Sequence, residues 1–154
     1  MQYDLFVEQL NQLDIPDAII DQDVLVIDFR PSKGHWLSGQ LLHTVQVMVR
    51  YSMVYYEPEL LMRFWTSYED DGIEVIGPCY TVDSSSVLGI PAEFVVELDV
   101  NINESDKRYS SKYWGAWYSI HPCDTAEIIG NDVRYMDTYL KRWTSVFLMW
   151  LYEL

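Results

Sequence analysis

The alternation of side chains over residues 45–56 limits the fold more than any other stretch of the chain. Val45, Val47, Val49, Tyr51, Met53 and Tyr55 share one face of an extended segment, and Gln46, Arg50, Ser52 and Tyr56 share the other, because successive strand side chains point to opposite faces. A period of two argues against a helix and predicts a half-buried strand that ends at Glu57-Pro58. Residues 60–68 form a second apolar run, and Asp71-Gly72 follows. Both positions of that dipeptide accept positive φ, as a tight hairpin turn requires. Residues 73–76 then return beside the second strand, and Gly77-Pro78 is expected to stop the pairing.

The flanking segments complete an α+β pattern. Tyr3, Phe6, Leu10 and Leu13 recur at helical spacing before Pro16, which predicts an amphipathic helix over residues 2–14. Residues 24–29 read as a strand and 31–39 as a loop; Ser84, Ser86, Gly89 and Pro91 mark another loop. Over residues 94–100, Phe94, Val96, Leu98 and Val100 are expected to point inward and Glu97 and Asp99 outward. After a polar stretch, residues 113–120 form an aromatic strand that runs directly into His121-Pro122-Cys123. Residues 124–129 suit a short helix ended by Gly130. Asn131 or Asp132 then caps a final helix whose apolar stripe is Met136, Leu140, Trp143, Phe147, Trp150 and Leu154. The expected architecture is one domain over residues 1–154, an antiparallel meander packed against an N-terminal and a C-terminal helix.

Composition removes several function classes. The chain has 154 residues, 49% of them hydrophobic, enough to bury a core. It carries 24 acidic against 10 Lys and Arg residues, a formal net charge of -14. Association with nucleic acid or anionic lipid depends on positive charge, so neither is expected as the main partner; basic protein faces are. Cys79 and Cys123 are too few for a disulfide framework or a four-ligand zinc site, and His35, His43 and His121 lack metal-ligand spacing, so no metal is expected. Residues 1–13 contain Asp4 and Glu8 rather than a basic region followed by an apolar run, unlike a secretory signal. The apolar run at 146–152 is far shorter than the roughly 20 residues that span a bilayer. These features predict a reduced, cytoplasmic protein.

Cys123 is the strongest candidate for chemistry. It follows a strand end and a proline and precedes a possible helix, whose unpaired N–H groups favour a thiolate. The adjacent Asp124 opposes that charge. The competing reading is an inert buried thiol. Cys79, after Gly77-Pro78, reads as structural, and a Cys79-Cys123 redox pair lacks the two-residue spacing of redox motifs. His121 is close in sequence to Cys123, yet the intervening Pro122 leaves its ring free to bond a backbone group instead. Trp114, Trp117 and Tyr118 read as core rather than as a binding platform.

His121-Pro122-Cys123 followed by Asp124-Thr125 resembles the active-site signature of the autophagy conjugating enzymes. The stretch from Tyr51 through Pro58 to the Asp71-Gly72 turn is similar to the strand, proline, strand and hairpin of the same family, and the resemblance covers roughly residues 45–125. It implies a ubiquitin-conjugating-like fold whose motif cysteine carries a ubiquitin-like protein as a thioester. Two branches share the motif; the short chain points to the branch that joins autophagy-related protein 12 to autophagy-related protein 5. On that resemblance Cys123 receives the carried protein from the activating enzyme, autophagy-related protein 7, and presents it to an acceptor lysine. The cofactor expectation is none, since the thioester already stores the energy of activation.

Ordinary ubiquitin-conjugating enzymes place an oxyanion-supporting asparagine ahead of the cysteine, where this chain has the cysteine itself in the motif. Candidate replacements are Asn103 and Asn101, which otherwise suit turn formation, and Tyr56, which otherwise packs across strands. Asp124 is a candidate to guide or deprotonate the amine, or else a helix cap. The edge of the hairpin over residues 60–76, with Glu69, Asp70 and Asp71 at its tip, is a candidate surface for the acceptor. A non-catalytic interaction domain with a structural Cys123, and a thiol redox enzyme, remain the alternatives.

Overall fold

The computed structural model describes residues 1–80, 88–91, 94–120, 129 and 133–154, of which 133–135 are described in the backbone alone. Among these residues lie helix α1 (Tyr3–Gln12) and strands β1 (Ala18–Asp21), β2 (Val24–Phe29), β3 (Trp36–Leu37), β4 (Gln40–Ser52), β5 (Glu57–Asp70), β6 (Ile73–Cys79), β7 (Val96–Ile102) and β8 (Gly115–Ile120), then helix α2 (Tyr139–Phe147). The strands form one antiparallel sheet in the order β1-β2-β4-β5-β8-β7, with β3 beside β4 and β6 beside β5. This is the α+β antiparallel sheet packed against an N-terminal and a C-terminal helix that the periodicities predict.

One sheet face carries Val45, Val47, Val49 and Tyr51 from β4 and Leu60, Met62 and Phe64 from β5. They bury against Phe6 and Leu10 of α1 and Leu140, Trp143 and Phe147 of α2. Complete burial of an aliphatic or phenyl side chain stabilises by about 1.5–3 kcal/mol, so this face is the main source of cohesion. The other face is not polar throughout. Met48 and Leu61 are fully buried there, clustered with Ile102 of β7 and Trp117 of β8 under a lid formed by Tyr109 and Tyr113. Arg63 fastens the lid: Nη1 donates to the Trp114 carbonyl at 2.7 Å and Nη2 to the Lys112 carbonyl at 2.8 Å. Its Nε donates to Gln46 Oε1 at 2.9 Å, and its guanidinium lies 4.1 Å from the Trp117 ring centroid. Burial lowers its pKa from the usual value.

Several elements depart from their sequence reading for local reasons. β4 stops at Ser52, not Tyr56, because the Tyr56 N–H returns to the Ser52 carbonyl at 2.9 Å and the Tyr55 N–H to Ser52 Oγ at 3.2 Å. Met53 and Tyr55, expected inward, are therefore exposed in a turn. Glu57-Pro58 opens β5 instead of ending β4; Pro58 pairs across from Tyr51, near the strand's start, where a missing donor is tolerated. Gly77-Pro78 does not stop β6, which continues to Cys79 with Pro78 opposite Trp65. Among the described strands β6 borders only β5, so proline costs no second ladder. At Asp71 and Gly72 φ is 51° and 79°, as the hairpin reading requires.

A register shift between Leu98 and Val100 rotates β7, leaving Leu98 exposed and turning Val100 toward the lid-side core. Trp117 and Tyr118 are core residues as expected, whereas Trp114 is 42% exposed. The C-terminal stripe keeps its buried face, but the helix is interrupted: a 3-10 turn (Val133–Thr138) precedes α2 and another (Met149–Glu153) follows it. Trp150 Nε1 donates to the Phe147 carbonyl at 2.7 Å, taking an acceptor that a continuous helix would use. The proposed caps Asn131 and Asp132 lie outside the described residues. No helix among the described residues is long and apolar enough to cross a membrane.

Candidate active site

Strand pairing fixes which end of the sheet the cysteine segment leaves from. Leu61 pairs with Ser119 and Met62 with Tyr118, so the antiparallel register carries β8 toward the first residues of β5 as it reaches Ile120. His121, Pro122, Cys123, Asp124 and Thr125 follow in sequence and lie outside the described residues.

Tyr56 stands at that same end. The four-residue turn between β4 and β5 holds it at φ 56°, in the left-handed region, with its side chain largely in solvent. It is thus a loop residue beside the first residue of β5, not a member of the polar face of β4. With Met53, Tyr51, Tyr3 and Met136 it lines a cleft of about 600 Å³. The Tyr56 carbonyl accepts from the Met1 amine at 3.0 Å, and the Tyr51 hydroxyl donates to the Met1 carbonyl at 2.7 Å. Burial, and then the neighbouring Glu57 charge, raise the Tyr51 pKa.

Asn101 and Asn103 are at the other end. Asn101 pairs with Ala116, while Val96 pairs with Ile120, so Ile102, the residue before Asn103, is about 20 Å from Val96 along β7 at about 3.3 Å per residue. Asn103 Oδ1 accepts the Ser105 N–H at 2.9 Å and the Ser105 hydroxyl, the local turn bonding that asparagine favours in loops. The structure therefore brings Tyr56, and neither asparagine, to the end of the sheet where the cysteine segment starts.

Two polar residues that the sequence reading passed over organise this end. Glu57 is 8% exposed, and its Oε2 accepts the Tyr139 hydroxyl at 2.6 Å. The Met1 amine lies 3.8 Å from Glu57 Oε1. Gln9, inside the apolar stripe of α1, donates from Nε2 to the Met136 carbonyl at 2.6 Å and accepts the Leu140 N–H at Oε1 at 2.8 Å. The α2 N-cap, Thr138, makes no side-chain cap bond, so α1 satisfies an otherwise unpaired donor of α2. The only sequence signal was the position of Gln9 on the inward face, next to Leu10.

The remaining thiol and imidazoles have other surroundings. Cys79 is buried in the core opposite Phe64, a structural position. His35 Nε2 lies 3.2 Å from the Leu154 carbonyl and His43 Nδ1 2.7 Å from Thr44 Oγ1. Among the described residues no three His, Cys, Asp or Glu side chains gather as a metal site.

Residues 7–152 match the family model described as autophagocytosis associated protein, active-site domain. Among curated relatives, the ubiquitin-like-conjugating enzyme ATG10 of Candida glabrata is 42% identical over 107 residues, 70% of this chain and 65% of that protein. The enzyme of the same name from Saccharomyces cerevisiae is 37% identical over 116 residues, 75% of this chain and 65% of that protein. The chain thus spans just under two thirds of the length of these relatives. A crystal structure of an autophagic E2, Atg10, superposes with a TM-score of 0.69 at 30% identity, over 98% of this chain and 96% of that one. Solution structures of KmAtg10, 19% identical with a TM-score of 0.55 over 97% of this chain and 94% of that one, share the fold. The sheet, its two helices and the family match over residues 7–152 agree: the chain belongs to the autophagocytosis-associated active-site family and has the fold of an autophagic E2.

Proposed function

We propose that this protein is a conjugating enzyme for a ubiquitin-like protein, with Cys123 as the thioester carrier. The observation that carries the reading is the family match over residues 7–152, which spans His121-Pro122-Cys123 and the sheet end from which that segment departs. The Cys123 thiolate attacks the carbonyl of the carried protein's C-terminal glycine in its thioester with the activating enzyme; the activating enzyme's thiolate leaves. An acceptor lysine amine then attacks the same carbonyl, the C–S bond breaks, an isopeptide bond forms and the amine loses a proton.

In this reading the carried protein is autophagy-related protein 12, the donor is autophagy-related protein 7 and the acceptor is a lysine of autophagy-related protein 5. Tyr56 is the favoured candidate to support the developing oxyanion or guide the amine, because its turn precedes the start of β5, the end toward which β8 runs; Asn103 is engaged with Ser105 at the far end. Asp124 serves as the candidate proton acceptor.

The test is a non-reducing gel after mixing the protein with ATP, the activating enzyme and the ubiquitin-like protein. A band that thiols remove and that Cys123→Ala lacks is expected. No band, with both upstream proteins active, leaves a non-catalytic interaction domain as the better reading. Tyr56→Phe is expected to lower transfer more than Asn103→Ala, and the reverse order would overturn the assignment of Tyr56.

A further inference from the structure

We infer that the exposed apolar band on the second sheet face, running from Trp36 of β3 to Ile76 of β6, docks a basic surface of the activating enzyme; this rests on the reading of the chain as a conjugating enzyme. The ladders define the band. Trp36 pairs with Leu41, Leu41 with Ser67 and Ser67 with Ile76, so these side chains stand in one row across β3, β4, β5 and β6. Thr44, Trp65 and Pro78 form the row beside it. Leu37 and Leu42, the sequence neighbours of Trp36 and Leu41, belong to the core of the first face, which points the row the other way. The lid of Tyr109 and Tyr113 leaves this end open: Trp36 is 65%, Leu41 36% and Ile76 46% exposed.

A single exposed apolar side chain needs no explanation, but a contiguous row that includes a tryptophan marks an interaction surface. The Trp65 ring lies 5.4 Å from the Arg63 guanidinium, which orients it before any partner arrives. Charge names the partner's chemistry. The next row toward the hairpin turn is Glu69 opposite Glu74, both exposed, with Asp70 and Asp71 beyond. Like charges directly opposite each other destabilise a ladder, and a Lys or Arg laid between them relieves that repulsion. A partner face with apolar side chains beside Lys or Arg therefore fits the band and its border; a second copy of this chain, at net charge -14, does not. Position selects the activating enzyme. Ser67 is about 33 Å along β5 from Glu57, the residue after Tyr56, at about 3.3 Å per residue. The acceptor has to meet the enzyme where its lysine reacts, whereas a site this far along the sheet suits the partner that must hold on while leaving the reacting end free for the carried protein.

The test separates loading from transfer. In initial rates of loading from the charged activating enzyme, Trp36→Ser is expected to raise KM for that enzyme at least about tenfold, as loss of a tryptophan near an interface centre does, with kcat within about twofold. Glu74→Lys is expected to raise the same KM at least about threefold and to flatten its rise with salt. Its melting midpoint should be no lower than that of wild type, because the repulsion from Glu69 is gone, an outcome that a merely structural role for Glu74 would not give. Discharge of the preformed thioester onto the acceptor lysine stays within about twofold in both variants. A loading KM in Trp36→Ser within about twofold of wild type, or a loss confined to discharge, would overturn the inference.

A second readout needs no thioester: calorimetric titration of the uncharged activating enzyme into Cys123→Ala, with and without Trp36→Ser. The dissociation constant is expected to rise at least about tenfold when Trp36 is replaced, and equal constants would overturn the inference. Binding that depends on Trp36 in a protein whose wild type forms no thioester would support the docking surface and count against the proposed function instead.

Discussion

Replacing Gln9 should uncouple the two helices at a predictable energetic cost. Its amide makes two bonds in a site where the residue is only 5% exposed: Nε2 to the Met136 carbonyl at 2.6 Å and Oε1 from the Leu140 N–H at 2.8 Å. Gln9→Leu keeps most of the volume but leaves that carbonyl and that N–H without a partner. Each stranded buried group costs about 1–3 kcal/mol, so the two together should cost about 2–4 kcal/mol once local relaxation is allowed. At about 2–4 °C per kcal/mol for a chain of this size, the melting midpoint should fall by about 4–16 °C. Urea unfolding followed by far-UV circular dichroism measures the free energy, and a matched loss in Gln9→Ala separates bonding from packing. Gln9→Leu as stable as wild type to within about 0.5 kcal/mol would refute the reasoning, because it would mean that packing and not the paired bonds joins α1 to α2.

Three further outcomes follow from other parts of the fold. Arg63→Lys supplies one ammonium where a guanidinium serves Gln46 and two backbone carbonyls, so stability should fall by about 2–3 kcal/mol and the near-UV signal of Trp117 should change; an unaltered spectrum would contradict the lid role of Arg63. Gly72→Ala meets no atom within 4 Å, so only its left-handed backbone at φ 79° is penalised, by about 1–2 kcal/mol in urea melts. Asp106 is held below the usual carboxylate range, first by its bond to Arg108. A depressed folded-state pKa gives stability that is present above the ordinary value and lost as pH falls through the folded one. The pair is largely solvent-exposed, however, so Asp106→Asn should change neutral-pH stability by less than about 0.5 kcal/mol and barely alter the acid arm of a pH titration of stability.

The sheet and its helices were legible because their signals are periodic. Val45, Val47 and Val49 alternate, Phe6 and Leu10 recur at helical spacing, and Asp71-Gly72 marks the hairpin at its observed place. What periodicity missed was non-local. Met48 and Leu61 are buried on the second face because Tyr109, alone in a polar stretch, and Tyr113, read as the start of the aromatic strand but found in a 3-10 turn before β8, fold back over them, and no local pattern announces that return. The turn at 53–56 depends on two bonds to Ser52 that compete with continued alternation through Tyr55. The β7 bulge likewise defeats an alternation count at Leu98.

The candidate site was legible as a motif and not as an arrangement. His121-Pro122-Cys123 is visible in sequence, and so is Tyr56, but the placement of Tyr56 and Asn103 at opposite ends of the sheet follows from register. Glu57 and Tyr139 meet across 82 residues, a pairing that only the folded chain defines.

The central claim is that Cys123 carries an acyl group, and intact-mass spectrometry of the protein after incubation with ATP, activating enzyme and autophagy-related protein 12 tests it most directly. Wild type should gain one mass of the ubiquitin-like protein that a thiol removes, Cys123→Ser should gain a mass that survives thiol and is released by alkali, and Cys123→Ala should gain none. An adduct that persists in Cys123→Ala, or none in wild type with an activating enzyme that has itself been charged, would contradict the account.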